Sequence, residues 1–229
     1  MLFNSVQFLV YFPIVVLLYF VIPSKVRYIW LLVASYYFYM SWSVEYVTLI
    51  FGVTVITWLC GMILDRVKRY EEKLAAKLAV GLGVGTCLVV LFFFKYFNFF
   101  MQNIVTLLAQ LGITVASSDY NIMLPVGISF FTFQALGYVI DVYRDDVPVE
   151  KNFLKYALFI SFFPQLVAGP IERSKNLLKQ VSERPYKKLL NYDRITSGLI
   201  YMLWGFFLKL VIADRVAVLV DCVFDEYYN

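Results

Sequence analysis

The chain of 229 residues contains no histidine, and only 16% of its residues are charged. Soluble domains carry about 25% charged residues. Because histidine is the usual general base near neutral pH, its absence leaves no recognisable catalytic constellation here. Cys60, Cys87 and Cys222 lie far apart in or beside apolar segments, without the close spacing of a metal site or redox motif. The sequence therefore predicts neither a metal site nor a bound cofactor.

Apolar side chains are the feature the chain has in excess, at 62% of all residues. A bilayer-spanning helix needs about 20 mostly apolar residues, and several runs approach that length. They predict an all-α polytopic membrane bundle, with one membrane domain over residues 1–229. The predicted spans are residues 6–22, 28–42, 46–64, 78–100, 121–140 and 197–220. The first run lacks the basic start and cleavage site of a signal peptide, so we expect it to remain as a span.

Lysine and arginine are concentrated in four segments between the apolar runs. These are residues 25–27, 65–77, 141–155 and 172–194, whereas residues 41–45 and 101–120 contain none. The positive-inside rule then predicts cytoplasmic basic loops and an external amino terminus. This orientation also accounts for the net charge of +4 without nucleic acid as a partner. Residues 101–116 are mixed apolar and polar without charge, which is compatible with an external interfacial helix.

The apolar segment 156–171 is too short to span and has cytoplasmic flanks on both sides. Pro164 and Pro170 each prevent a continuous helix. One interpretation is a re-entrant segment, whose backbone polar groups must be satisfied by protein or by a water-filled cavity. The other is a pair of membrane-surface helices broken by proline.

Polar side chains inside the spans are candidates for function, and each also has a structural interpretation. Gln134 shares a helix face with Tyr138 and Asp141, so this stripe either lines a path for a polar substrate or hydrogen-bonds neighbouring helices. Lys95 is either a functional charge or a side chain that snorkels to the headgroups. The pair Gly81 and Gly85 favours close helix packing.

Lys209 and Asp214 lie in the last predicted span, where unpaired charges are costly. A separation of five residues does not suit pairing on an α-helix. We therefore expect each to meet another segment, or the helix to break near Ala213.

Several stretches, in order along nearly the whole chain, resemble the membrane-bound O-acyltransferase family, in particular its alginate O-acetyltransferase branch. They are MLFNSVQFLVYFPIVVLLYFVIP, WLLVASYYFYMSW, FFFKYFNFF, LPVGISFFTFQALGYVIDVYR, SFFPQLVAGPIERSKNLL and LWGFFLKLVIADRVAVLVD. The resemblance implies tilted helices and re-entrant segments around a tunnel through the bacterial inner membrane. It implies transfer of an acetyl group from a cytoplasmic, acetyl-CoA-like thioester to an exported polysaccharide such as alginate, directly or through a periplasmic acetyltransferase partner.

Members of that family use an intramembrane histidine downstream of the region the chain resembles. The chain therefore looks like the amino-terminal half of such an enzyme, and we expect it to be inactive alone. D-alanyl transfer to teichoic acid is an alternative within the family. A noncatalytic membrane scaffold or a transport subunit is an alternative from another class.

The resemblance favours the re-entrant interpretation and implies a set of site residues. The residues expected to shape the cytoplasmic mouth are Pro164, Gln165, Gly169 and Pro170. Those expected at the rim of the mouth are Tyr143, Arg144, Glu172 and Arg173. The residues expected to line the tunnel are Gln134, Asp141 and Lys209. Arginine suits a phosphate-bearing donor because its guanidinium binds phosphate in a bidentate manner. The alternative for Arg144 and Arg173 is an ion pair with Asp141 or Glu172.

Overall fold

A computed structural model describes residues 1–70, 72–110, 125–166, 169, 172–182 and 191–227, and for residues 225–227 it describes the backbone alone. All regular elements in these ranges are helices. They are α1 (Val6–Val21), α2 (Arg27–Met40), α3 (Glu45–Arg69), α4 (Lys73–Gln110), α5 (Ile128–Tyr143), α6 (Phe153–Ser161), α7 (Phe163–Leu166), α8 (Ser174–Ser182), α9 (Tyr192–Phe207), a π-helical turn (Leu208–Ala213) and α10 (Asp214–Tyr227). The all-α prediction is confirmed for the part of the chain described.

Most predicted spans overlap a helix, and α3 and α4 extend further than their apolar runs at both ends. Two helices, α3 and α4, are long and apolar enough to cross a bilayer. The predicted span 78–100 is part of α4, which continues without interruption to Gln110. The prediction of a separate interfacial helix at residues 101–116 is therefore wrong for its first ten residues, because this uncharged sequence simply prolongs the helix. Residues 111–116 lie outside the described ranges.

The chain forms two compact units. The first contains Met1 and the described residues from Pro13 to Ser182, and the second contains Leu2–Phe12 and the described residues from Asn191 onward. The core of the first unit is formed chiefly by α3, α4, α5 and α6, and its largest buried side chains include Tyr138, Tyr156 and Phe131. These side chains contribute to the apolar contacts that hold the helices together.

Glycines in α3 and α4 allow this core to close. A Cβ atom at Gly61 would lie 3.0 Å from the Tyr138 ring, and one at Gly83 would lie 3.2 Å from Val139. By contrast, nothing lies within 4 Å of a Cβ atom added at Gly81 or Gly85. The prediction that the Gly81 and Gly85 pair packs against a helix is wrong within this chain, since the intervening Gly83 faces the core.

The second unit contains α9 and α10, joined by the π-helical turn. Backbone angles remain in the right-handed helical region at Phe207 and Asp214, on either side of the turn, so the chain does not break near Ala213. A π-helix places residues i and i+5 on one side, and Lys209 Nζ accordingly lies 2.6 Å from Asp214 Oδ1. The expectation that their spacing prevents pairing is wrong, because it assumed α-helical geometry.

Candidate functional site

The segment predicted to be re-entrant contains a helix break, and neighbouring side chains form hydrogen bonds with the backbone groups left free there. α6 ends at Ser161, and Phe162 leaves the helical region with φ −56° and ψ 108° before α7 begins. In a continuous helix, the carbonyl of Phe159 would accept from the N–H of Phe163. Here Gln134 Nε2 donates to the Phe159 carbonyl at 2.7 Å, and the Phe163 N–H donates to Ser35 Oγ at 3.2 Å. Two side chains therefore replace one lost main-chain hydrogen bond.

Burial makes this replacement necessary. Gln134 and Ser35 are buried, as are Phe159 and Phe163 on the two sides of the break. A buried, unpaired backbone polar group costs free energy comparable to a lost hydrogen bond. The structure thus gives Gln134 the interhelical hydrogen bond that sequence reasoning held as the alternative to a substrate path.

The α6–α7 segment runs antiparallel to α5. The ring centroids of Tyr138 and Tyr156 are 4.5 Å apart, Gln134 bonds Phe159, and the Leu166 carbonyl approaches Gly127. As the residue number rises along α6 and α7, the partner on α5 moves steadily toward its amino-terminal end.

The end of α7 requires glycine at the start of α5. Gly127 adopts φ +78°, and a Cβ atom there would clash with the Leu166 carbonyl. The Tyr39 hydroxyl donates to the Val126 carbonyl at 3.1 Å, which ties α2 to the same place. We call Pro164, Gln165, Leu166 and Gly169 the hairpin tip. Within it, Pro164 is exposed, Gln165 is buried, and the Gly169 N–H donates to the Gln165 carbonyl at 3.0 Å.

After the hairpin tip, the chain is again found at the opposite end of α5. Ser174 Oγ, at the start of α8, donates to Asp141 Oδ2 at 2.7 Å. Gly127 and Asp141 are separated by about 21 Å along a helix that rises 1.5 Å per residue. The hairpin tip and Asp141 therefore belong to opposite ends of α5.

The rim residues predicted from sequence gather at the Asp141 end. Tyr143 is partly buried, and the Lys68 ammonium lies 5.8 Å from the centre of its ring. Arg144 and Arg173 are exposed. Among the described residues neither arginine pairs with Asp141 or with Glu172, whose carboxylate instead accepts a hydrogen bond from Asn176 at 3.3 Å. Both guanidinium groups thus remain accessible for an anion.

In this geometry, the residues predicted to form one mouth lie at two different ends of α5. Pro164, Gln165 and Gly169 lie at the amino-terminal end of α5, whereas the rim residues lie at its carboxy-terminal end. The expectation that both sets shape one mouth is wrong, because α6 and α7 together run the length of α5 rather than turning back near Asp141. Pro170 lies outside the described residues.

A crevice at the Asp141 end was missed by sequence reasoning. It has a volume of about 310 Å³ and lies between the loop Asp146–Glu150 and α8. Its lining includes Val147, Leu178, Ser174, Ser182, Lys175 and Lys179. The many lysines in this part of the sequence could have indicated the crevice, but the positive-inside rule uses lysine only to predict membrane orientation.

The remaining candidates lie apart from this site or in the second unit. Lys95 is exposed on α4, with its ammonium 5.6 Å from the Tyr96 ring centre, and its snorkelling to the headgroups stays a prediction. Lys209 belongs to the second unit, where it pairs with Asp214. Among the residues described, no cluster of Cys, Asp and Glu side chains could hold a metal ion.

The chain is similar to curated proteins over nearly its whole length. The chain is 36% identical to the probable alginate O-acetylase of Pseudomonas putida over 98% of the chain and 45% of that protein. It is 31% identical to the peptidoglycan O-acetyltransferase of Helicobacter pylori over 99% of the chain and 47% of that protein. The chain thus spans about half the length of the curated relatives it matches.

A shorter similarity is to an enzyme of D-alanyl transfer, the alternative reaction considered above. The teichoic acid D-alanyltransferase of Lacticaseibacillus rhamnosus is 30% identical over 38% of the chain and 21% of that protein. No protein-family model matches the chain, and no solved structure matches it either. The resemblance to alginate O-acetyltransferases that the motifs predicted is confirmed, because the similarity covers nearly the whole chain.

Proposed function

We propose that the protein containing this chain is a membrane-bound O-acyltransferase that acetylates an exported polysaccharide such as alginate. The observation that carries the proposal is the 36% identity to an alginate O-acetylase over 98% of the chain. D-alanyl transfer has weaker support, because that similarity is confined to 38% of the chain. The acetyl group comes from a cytoplasmic thioester donor of the acetyl-CoA type.

The donor approaches the Asp141 end of α5 in this proposal. Arg144 and Arg173 are exposed there, and the crevice nearby combines an apolar floor at Val147 and Leu178 with Lys175 and with the carboxylates of Asp146 and Glu150. Phosphate groups of a donor suit the two arginines, since guanidinium groups bind phosphate in a bidentate manner. The role of these residues is binding and orientation, and the chain supplies no histidine to act as a base.

The bundle lies in the inner membrane as a multi-pass protein with its amino terminus outside. Two groups of contacts support this orientation. The Met1 ammonium donates to Ser41 Oγ at 2.9 Å, which joins two segments predicted to be external. Lys68 Nζ lies 2.6 Å from Asp145 Oδ1, which joins two segments predicted to be cytoplasmic. Segments predicted on one side of the membrane are thus in contact with each other.

A hybrid enzyme tests the proposed function. In a Pseudomonas putida host that lacks its own alginate O-acetylase, the matched 45% of that enzyme is replaced by residues 1–229. The proposal predicts that the hybrid restores acetyl esters on secreted alginate. Normal membrane insertion of the hybrid without any acetyl ester would contradict it, and appearance of D-alanyl ester on teichoic acid in a Gram-positive host would favour the alternative.

A further inference from the structure

One face of α3 lies outside the core of the first unit. The buried residues of α3 include Val53, Cys60 and Leu64, which belong to the core shared with α4 and α5. Leu59 and Ile63, by contrast, are 47% and 48% exposed. Because α3 is long and apolar enough to cross a bilayer, this exposed apolar face suits contact with acyl chains rather than with water.

A groove of about 410 Å³ runs along this face toward the end of α3. Leu59, Ile63 and Arg66 follow one another at intervals of four and three residues, so they lie on one face of the helix. The groove thus passes from apolar side chains to guanidinium groups along a single helix. Its lining consists of Leu59, Met62, Ile63, Asp65, Arg66, Arg69 and Tyr70.

The change from apolar to charged lining falls at the depth expected for a membrane border. The charged residues begin at Asp65, directly after the apolar run 46–64. Leu59 and Arg66 are separated by about 10 Å along a helix that rises 1.5 Å per residue, whereas the hydrocarbon of one leaflet is about 15 Å thick. A lipid of one leaflet can therefore contact both residues. Tyr70 is exposed at the same end, and tyrosine is enriched at membrane interfaces.

One guanidinium group of the groove is available to an anion. Arg69 is paired with the Asp65 carboxylate, so these two charges offset each other. Arg66 is exposed, and no side chain in the described part of the chain forms a hydrogen bond or ion pair with it. A guanidinium binds phosphate oxygens in a bidentate manner. The groove therefore combines a phosphate-binding group with an apolar channel.

We propose that this groove binds one molecule of an anionic phospholipid, with its phosphate on Arg66 and an acyl chain along Leu59 and Ile63. Basic residues at a membrane border attract anionic lipids through charge alone, but charge alone favours no single residue and places no acyl chain. The apolar lining next to Arg66 supplies both. Only the bilayer crossing of α3 is required for this site, and acetyl transfer is not.

Native mass spectrometry of the chain in detergent micelles tests the site, because it counts bound lipids and gives a dissociation constant for the first one. The probe is phosphatidylglycerol. Phosphatidylcholine is the comparison without net charge, and glycerol phosphate is a headgroup without acyl chains. Arg66→Gln removes the guanidinium. Lys77→Gln is the matched control, because Lys77 is an exposed basic residue of the same segment that does not line the groove.

We expect phosphatidylglycerol to bind more tightly than phosphatidylcholine. Arg66→Gln should weaken its binding about fivefold, the usual contribution of one basic side chain at a membrane surface, and Lys77→Gln should leave it unchanged. Equal losses in the two variants would overturn the inference, because they would indicate attraction by charge alone. Displacement of the lipid by an equal concentration of glycerol phosphate would also overturn it, because the acyl chain would then contribute nothing.

Two further measurements complete the test. If Arg66→Gln does not accumulate, Arg66→Lys keeps the charge without the bidentate geometry, and it should still weaken phosphatidylglycerol binding relative to Lys77→Arg. The hybrid with the Pseudomonas putida enzyme should bind phosphatidylglycerol with the same dependence on Arg66. Binding by residues 1–229 that is lost in the hybrid would overturn the inference, because the remaining part of the enzyme would then cover the groove.

Discussion

The side chain of Gln134 donates a hydrogen bond of 2.7 Å to the main-chain carbonyl of Phe159, which the end of α6 leaves without its helical partner. On the other side of the break, Ser35 Oγ accepts from the N–H of Phe163 at 3.2 Å. Gln134 comes from α5 and Ser35 from α2, so two helices jointly stabilise one interruption. The presence of Gln134 and Ser35 in these helices is thereby explained by backbone hydrogen bonding.

Replacing Gln134 by leucine removes the donor to the Phe159 carbonyl and leaves that acceptor buried. An unsatisfied buried group costs about 1–3 kcal/mol, so Gln134→Leu should lower the free energy of unfolding by that amount. Denaturant titration in detergent micelles measures the change. Gln102→Leu on the exposed surface of α4 is the matched control. Equal stability of Gln134→Leu and the control would show that the bond is not needed.

Ser35→Ala removes the partner of the Phe163 N–H and should also destabilise the chain. Because Gln134 and Ser35 satisfy the two halves of one break, their effects should not add. A coupling free energy of about 0.5–3 kcal/mol is usual for residues that share a network. A double-mutant cycle with Gln134→Leu measures it, and strictly additive losses would indicate two independent hydrogen bonds.

Helix positions in this fold could largely be predicted from apolar run length. The boundaries could not, because α3 and α4 extend through polar and basic residues that continue the helix once it is formed. The pairing of Lys209 with Asp214 was also missed, since the sequence does not reveal a π-helical turn. Periodicity arguments assume 3.6 residues per turn, and they fail locally where that number changes.

Gly127 should be sensitive to substitution because it combines a positive φ angle with contact to the Leu166 carbonyl. Gly127→Ala should lower the free energy of unfolding by about 1–3 kcal/mol, the cost of strained backbone. Gly137→Ala in the same helix is the control, since nothing lies within 4 Å of its added Cβ atom. It should be neutral or stabilising by up to about 1 kcal/mol. Similar effects of the two substitutions would contradict the contact.

Asp145 lies two residues after α5 in the left-handed region, with φ 63°, and its carboxylate pairs with Lys68. Asp145→Gly and Asp145→Ala both remove the carboxylate, so they differ only in backbone preference. Asp145→Ala should be less stable by about 1–2 kcal/mol, because a Cβ atom disfavours this conformation. Thermal unfolding of the two variants in the same detergent compares them, and equal midpoints would contradict a left-handed residue at this position.

The ion pair of Lys209 and Asp214 should matter most when the helix is in a bilayer. Each single neutralisation, Lys209→Met or Asp214→Leu, leaves the other member of the pair without its partner at a cost of roughly 3 kcal/mol. The double variant should recover membrane insertion, because neither charge of the pair remains, while Arg215 is the same in all variants. Quantitative blotting of membrane fractions measures insertion, with the exposed Lys77→Met as the control. A double variant as poorly inserted as either single variant would count against the pairing.

The candidate site was only partly predictable. Asp141, Tyr143 and Arg144, which the resemblance implies as site residues, lie together at one end of α5 because they follow one another in the sequence. It could not show that Pro164 lies at the far end of α5, since a short apolar segment gives no information on its depth. The antiparallel contacts of α6 with α5 supplied that information. Tertiary hydrogen bonds, rather than hydrophobicity, decide how far the segment reaches.

Acetyl ester content of secreted alginate tests the central claim most directly. It is measured in a Pseudomonas putida host lacking its own O-acetylase, with either residues 1–229 alone or the hybrid that carries them in place of the matched part. We expect ester from the hybrid and none from the chain alone, which has no histidine. An inserted hybrid that yields no ester would contradict the account, as would ester formed by the chain alone.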